Sequence, residues 1–250
     1  MTDLRARILR GDRLVGCFLK TPSPQVAELL GLAGLDFIVA DQEHAPVDLA
    51  TLDLIALAGR AVGLPVLIRA SHGAAPAIWP ALDIGCTGVM VPHVRTAEEA
   101  GQVADAVKYA RGQRGFSPSG RAGGYGTVPA ADYRRQADAA SVILTQIEDA
   151  AALAQLDAIA AVPEVDVLFV GPADLALSLG CAPDAPALEA AILQVAEAAR
   201  RAGKAAGLFV TDAAQIGPWA ARGISVFVCG SDQGLLMQGA RRLMATGRAG

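Results

Sequence analysis

Eight short apolar runs rich in Val, Ile and Phe alternate with Ala- and Leu-rich stretches of helical period along 250 residues, and no linker-like segment divides them. That pattern predicts an α/β fold, a (β/α)8 TIM barrel formed as one domain over residues 1–250. Parallel strands need crossover helices, and eight such units fill a chain of this length. A third observation separates the barrel from an open doubly wound sheet, whose first strand normally leads into a G-x-G-x-x-G turn. The segment after the first predicted strand, CFLKTPSP (Cys17–Pro24), has no such glycines.

The N-terminal MTDLRARILRGDR spaces Leu4, Ile8 and Leu9 for a short amphipathic helix and lacks the continuous apolar core of a secretory signal. The first strand is predicted at VGCFL from Val15, followed by the helical PQVAELLGLAG. FIVA from Phe37 precedes the helical DLATLDLIALAGRAVG, VLIRA begins at Val66, and GVMVP from Gly88 precedes AEEAGQVADAVKYA. VILTQIE from Val142 leads into DAAALAQLDAIAAV, and VDVLFVG from Val165 is followed by ALEAAILQVAEAARRAG. AAGLFV from Ala205 with AAQIGPWAARG, and ISVFVCG from Ile224, complete the series. Several helical stretches end in Gly, as helix C-termini prefer. Arg111–Pro129, RGQRGFSPSGRAGGYGTVP, is too Gly-rich for regular structure. As a helix-to-strand connection it is expected to form an ordered surface or subunit-contact loop, the alternative being an arginine-bearing arm that reaches a ligand.

Hydrophobic residues make up 53% of the chain, the formal net charge is −4, and Lys and Arg form no block, which argues against a nucleic-acid surface. No apolar run approaches the ~18 residues of a membrane span. The expectation is a cytoplasmic protein whose partners are small molecules or copies of itself. Cys17, Cys86, Cys181 and Cys229 form no C-x-x-C pair, so all are expected to be reduced and to hold no zinc.

Polar residues just beyond a barrel strand lie on its catalytic face. Those residues are Asp41-Gln42-Glu43-His44 after strand two, Arg69 after strand three, Gln146 and Glu148 at strand five, and Asp174 after strand six. Glu148 and Asp174 come from adjacent strands about 4.8 Å apart, where two carboxylates repel unless one is protonated or a cation lies between them. With oxygen ligands alone, Mg²⁺ or Mn²⁺ is favoured over Zn²⁺; the alternative is that the two acids are unrelated surface groups. Arg69 offers a planar set of donors suited to a carboxylate or a developing enolate oxygen, or else simply pairs with Asp41 or Glu43. His44 can exchange a proton near neutral pH. His72 and His93 have no carboxylate pattern around them and are expected to be structural, and Asp83 falls at the opposite end of its own subunit.

DFIVADQEHAP, PVLIRA, LDIGCTGVMVPHVRTAEEA, GRAGGYG, LTQIED and VDVLFVGPADLALSLG occur in this order over nearly the entire chain. Together they resemble the metal-dependent pyruvate aldolases typified by 4-hydroxy-2-oxoheptanedioate aldolase and 2-dehydro-3-deoxyglucarate aldolase, in the aldolase/citrate lyase superfamily. The resemblance implies reversible cleavage of 4-hydroxy-2-oxo acids to pyruvate, or an analogue such as hydroxypyruvate, and an aldehyde. It implies Glu148 and Asp174 as ligands of Mg²⁺, Mn²⁺ or a similar ion such as Co²⁺, His44 as base and Arg69 as oxyanion partner. Asp83 is implied to orient the histidine from a neighbouring subunit of a hexamer. Asp41 and Gln146 support the site, and Ala173 of the G-P-x-D-L motif lies at the substrate. Loops at Lys20–Pro24, Thr211–Ala214 and Gly230–Gly234 are expected to shape the aldehyde pocket. The rivals are a Schiff-base aldolase using Lys20, a CoA-thioester lyase with the same fold and metal site, and a non-catalytic ligand-binding barrel.

Overall fold

A computed structural model describes residues 3–248. Helix α1 (Leu4–Leu9) leads into β1 (Leu14–Leu19) and α2 (Pro24–Leu32), then β2 (Phe37–Asp41) into α3 (Leu49–Val62). Next come β3 (Val66–Arg69) with α4 (Ala75–Asp83), and β4 (Gly88–Val91) with α5 (Ala97–Val107) and α6 (Ala130–Ala140). β5 (Val142–Ile147) precedes α7 (Leu156–Ala160), and β6 (Val167–Val170) precedes α8 (Pro172–Leu179) and α9 (Pro186–Arg201). β7 (Ala205–Val210) with α10 (Ile216–Ala220), and β8 (Val226–Ser231) with α11 (Asp232–Gly247), end the order. The eight strands form a closed parallel barrel in sequence order, with β1 pairing β8.

Strand parity decides which side chains reach the site, because successive residues point to opposite faces. Phe37 and Val39, Leu67, Val142 and Leu144, and Val167 and Phe169 fill the barrel interior. The residues between them, such as Ile38, Ile68, Ile143 and Leu168, pack outward in the cluster shared with the helices. Continuing the inward parity by two residues reaches Asp41, Arg69 and Gln146, so the polar ends of these strands stand over the core rather than under the helices. Asp41 and Arg69 are also register partners across β2 and β3. The opposite end is plugged by α1, whose Leu4 and Ile8 join the interior cluster. Gly207 makes room for the interior ring beside it, since a Cβ there would lie 2.5 Å from the Phe169 ring.

The Gly-rich segment 111–129 runs along the outside of the barrel against α3 and α4, and it contains a short 3-10 turn at Arg121–Gly126 that its composition did not predict. Arg121 Nη2 donates to both Asp53 oxygens at 2.8 and 2.9 Å, and Arg114 Nη2 donates to Asp83 Oδ1 at 3.0 Å. Helix α11 leaves the barrel flank: Asp232 is its single buried residue, while Leu236 and Leu243 are 75% and 72% exposed. No described helix is long and apolar enough to cross a membrane.

Candidate active site

The buried carboxylate of Asp41 anchors one side of the mouth. Arg69 Nε donates to its Oδ1 at 3.0 Å and Nη2 to its Oδ2 at 2.7 Å, and the backbone N–H groups of Glu43 and His44 each donate to Oδ1 at 3.1 Å. Burial pushes the Asp41 carboxyl upward, but Arg69's hydrogen bonds and charge, the His44 N–H and the nearby Lys20 outweigh it. The net effect holds Asp41 below the usual carboxylate range. Arg69 is further fixed by Glu43 Oε2 at 3.3 Å and by the Phe18 ring, whose centroid lies 4.4 Å from its Cζ. Arg69 therefore pairs with Asp41 and Glu43, as one of its two sequence readings has it, and it also lines the cavity above them.

The other side is built by β5 and β6. Gln146 Nε2 donates to Glu148 Oε2, and both residues are buried. Burial is the main cause that raises the Glu148 carboxyl to about 7, with the charges of Asp174 and Glu43 adding to it and His93 working against it. Gln146 Oε1 is buried with no hydrogen-bond partner. An orphaned acceptor beside a carboxylate disfavoured first by burial and then by its acidic neighbours is a donor set short of positive charge, which a hard divalent cation fits. Among the described residues no group of three or more His, Cys, Asp or Glu is arranged to hold an ion alone. A cation at Glu148 and Asp174 would thus complete its shell with Gln146 Oε1, water or substrate oxygens.

His44, Arg69, Gln146, Ala173 and Asp174 line one cavity of about 480 Å³ at the barrel mouth. Ala173 and Asp174 lie in the first turn of α8, where backbone N–H groups have no helical acceptor. The His44 ring is half exposed, with Nε2 3.6 Å from Glu43 Oε2. Asp83 is not brought to this mouth within the chain; it ends α4 and pairs with Arg114. His72 serves a local turn as expected, its Nδ1 accepting from Ala74 N at 3.2 Å.

His93 corrects the sequence reading, which found no carboxylates around it. It adopts a left-handed φ of 55°, its backbone N–H donates to Glu148 Oε1 at 2.9 Å, and its Nδ1 lies 3.0 Å from Asp149 Oδ2. Burial opposes protonation of the ring, but Asp149, Glu148 and Glu43 overcome it and raise its pKa. These partners lie 55 and 56 residues away in the chain, so no local pattern reveals them.

Gly171 is a second residue that sequence reasoning passed over, although it opens the G-P-x-D-L motif. Its φ is −94°, so backbone freedom is not the reason for glycine. A Cβ there would lie 2.6 Å from Glu148 Oε2 and 2.8 Å from Gln146 Nε2. Gly171→Ala is therefore expected to displace both side chains. The outcome expected is at least a tenfold weaker Mn²⁺ affinity by calorimetry with the circular dichroism spectrum unchanged, in line with the ~10–100-fold losses seen when ligand-orienting groups are disturbed.

The family model described as HpcH/HpaI aldolase/citrate lyase matches residues 14–239. Hydroxypyruvate/pyruvate aldolase from Roseobacter denitrificans is 36% identical over 216 residues, covering 85% of this chain and 84% of the relative. 5-Keto-4-deoxy-D-glucarate aldolase from Salmonella arizonae is 38% identical over 240 residues, covering 93% and 91%. The crystal structure of an HpcH/HpaI aldolase/citrate lyase family protein from Burkholderia cenocepacia superposes with a TM-score of 0.93 at 31% identity, covering 99% of this chain and 100% of that one. Matched along most of its length by the family model and by relatives of nearly the same span, this chain belongs to the HpcH/HpaI aldolase/citrate lyase family.

Proposed function

We propose that this chain is a one-domain, divalent-metal-dependent aldolase that reversibly cleaves 4-hydroxy-2-oxo acids to pyruvate, or hydroxypyruvate, and an aldehyde. The observation that carries the reading is the fixed Arg69 guanidinium sharing a cavity with His44, Gln146 and Asp174, with the buried Glu148 carboxylate hydrogen-bonded to Gln146 beside it. A divalent cation, Mg²⁺ or Mn²⁺ by its oxygen donors, would be held by Glu148 and Asp174 and would supply Lewis-acid charge next to a chelating 2-oxo acid.

The chain's own residues then divide the work. The first-turn N–H groups at Ala173 and Asp174 bind the substrate carboxylate. Arg69, with Nε and Nη2 committed to Asp41, presents its remaining guanidinium edge to the 2-oxo oxygen. His44, directly or through water, takes the proton of the 4-hydroxyl; the C3–C4 bond breaks, its electron pair moves toward C2, and negative charge builds on the oxygen facing Arg69. The aldehyde leaves, and protonation at C3 completes pyruvate. His44→Ala is expected to slow exchange of the pyruvate methyl protons with D₂O by roughly 10²–10⁴-fold, read by proton NMR, and unchanged exchange removes His44 as base.

The Schiff-base alternative is disfavoured by the Lys20 ammonium, which lies 3.3 Å from Asp41 Oδ2 and is engaged as a cation rather than free to attack a carbonyl. We further propose a cytoplasmic homohexamer in which Asp83 serves a neighbouring mouth. Its position at the rim of its own barrel opposite the cavity, and the exposed apolar residues of α11, support self-association. The deciding assay is pyruvate release from a panel of 4-hydroxy-2-oxo acids with and without chelator. Release that chelator does not touch, or no release from any member, rejects the proposal.

A further inference from the structure

We propose that Lys20 reads the aldehyde half of the substrate and selects aldehydes that carry an anionic group, a carboxylate, sulfonate or phosphate. This inference rests on the aldolase reading above and extends it to the side of the cavity that the 2-oxo acid leaves open.

Position comes first. Lys20 lies two residues beyond Phe18, which belongs to the interior cluster, so β1 parity aims it inward. It lines the same cavity as Arg69 and His44. In the closed order of eight strands, β1 stands across the barrel from β5, which carries Gln146 and leads into Glu148. A 2-oxo acid held at β5, β6 and Arg69 therefore extends its remaining carbons toward β1, β7 and β8, where Thr211, Ser231 and Gln238 continue the cavity wall.

Availability comes second. Lys20 and Arg69 are the cations among the described residues lining this cavity, and Arg69 is committed to Asp41 and Glu43. Asp41 already accepts two hydrogen bonds from Arg69 and two from backbone N–H groups, so it does not need Lys20 to satisfy it. Lys20 adds a charge contact at 3.3 Å while its side chain stays 27% exposed. An ammonium has three donors, and those not turned to Asp41 remain for a ligand.

The third observation is that Lys20 is held in place before any ligand arrives. Its backbone N–H donates to Asp232 Oδ1 at 2.7 Å, and that of Thr21 donates to Asp232 Oδ2 at 3.1 Å. Asp232 is the buried first residue of α11, so the end of β8 clamps the loop that carries the lysine. A cation on a clamped loop binds an anion without first ordering its own backbone.

The test compares matched 4-hydroxy-2-oxo acids that differ in the tail, one ending in a neutral hydroxymethyl group and the others in carboxylate, sulfonate or phosphate. Steady-state kcat/KM is measured with Mn²⁺ for the wild type, Lys20→Met and Lys20→Arg. In Lys20→Met the ratio of charged to neutral kcat/KM is expected to fall about 10- to 100-fold, the worth of one charge-assisted hydrogen bond, and Lys20→Arg is expected to restore most of it. The anionic tail with the highest wild-type ratio names the class. Wild-type exchange of pyruvate's methyl protons in D₂O involves no aldehyde, so its absence overturns the aldolase reading itself. Exchange in the wild type together with an unchanged ratio in Lys20→Met overturns the role of Lys20 alone. An equal loss on charged and neutral acids also overturns it, because that result makes Lys20 a support for Asp41.

Discussion

Asp174→Ala is expected to abolish chelator-sensitive turnover and Mn²⁺ binding while leaving the barrel folded. Asp174 sits in the first turn of α8, so its loss forfeits the small stabilisation of an acid at a helix N-terminus, ~0.3–1 kcal/mol. Against that, its charge is one of those that push the buried Glu148 carboxyl up, and removing it relieves the neighbouring acid. The two effects oppose each other, and thermal unfolding of the variant should stay close to that of the wild type. Function has no such compensation, because one remaining carboxylate and a neutral amide are a weak site for a divalent ion. Calorimetric Mn²⁺ titration and pyruvate release should fail together. Turnover that survives with full chelator sensitivity would mean that Asp174 is not a ligand.

Which parts of this site are legible in the sequence follows from how local their causes are. All eight strands are marked by apolar runs, since strands buried on both faces need them. Helix α4 is harder to see, because Pro76 and Pro80 interrupt its period, and α11 is harder still because it buries only Asp232 and shows no core-facing stripe. Asp41, Arg69 and Gln146 are legible as polar residues that end apolar strands, and the inward parity of those strands confirms their direction. The same parity would have found Gly171, two residues beyond the interior Phe169, and it agrees with the placing of Lys20, two beyond Phe18, at the mouth. His93 has no such signal. Its role depends on a left-handed turn after β4 meeting a carboxylate carried by β5, a contact made by barrel closure rather than by neighbours in the chain.

Arg69→Ala is expected to damage stability and catalysis together, and the two losses can be separated. Asp41 is fully buried, and removing its bidentate partner leaves a carboxylate facing only Lys20 and two backbone N–H groups. Breaking a buried pair in this way costs roughly 3–5 kcal/mol. The pH dependence identifies the cause. In the wild type the lowered Asp41 pKa contributes stability at neutral pH that is lost as pH falls through that lowered value. Without Arg69 burial dominates, the folded carboxyl prefers its proton, and the deficit of the variant relative to wild type should shrink on acidification. Asp41→Asn combined with Arg69→Ala removes the unpaired charge and should recover much of the denaturation midpoint. Activity should not return with it, because the oxygen that gains charge during C–C cleavage still lacks its guanidinium, a loss of ~10²–10³ in rate for a comparable donor. Arg69→Lys keeps a charge but cannot span both Asp41 oxygens while presenting a third edge, so it should rescue stability more than kcat. A double variant as active as wild type would reduce Arg69 to an ion-pair partner of Asp41 and take the oxyanion role from it.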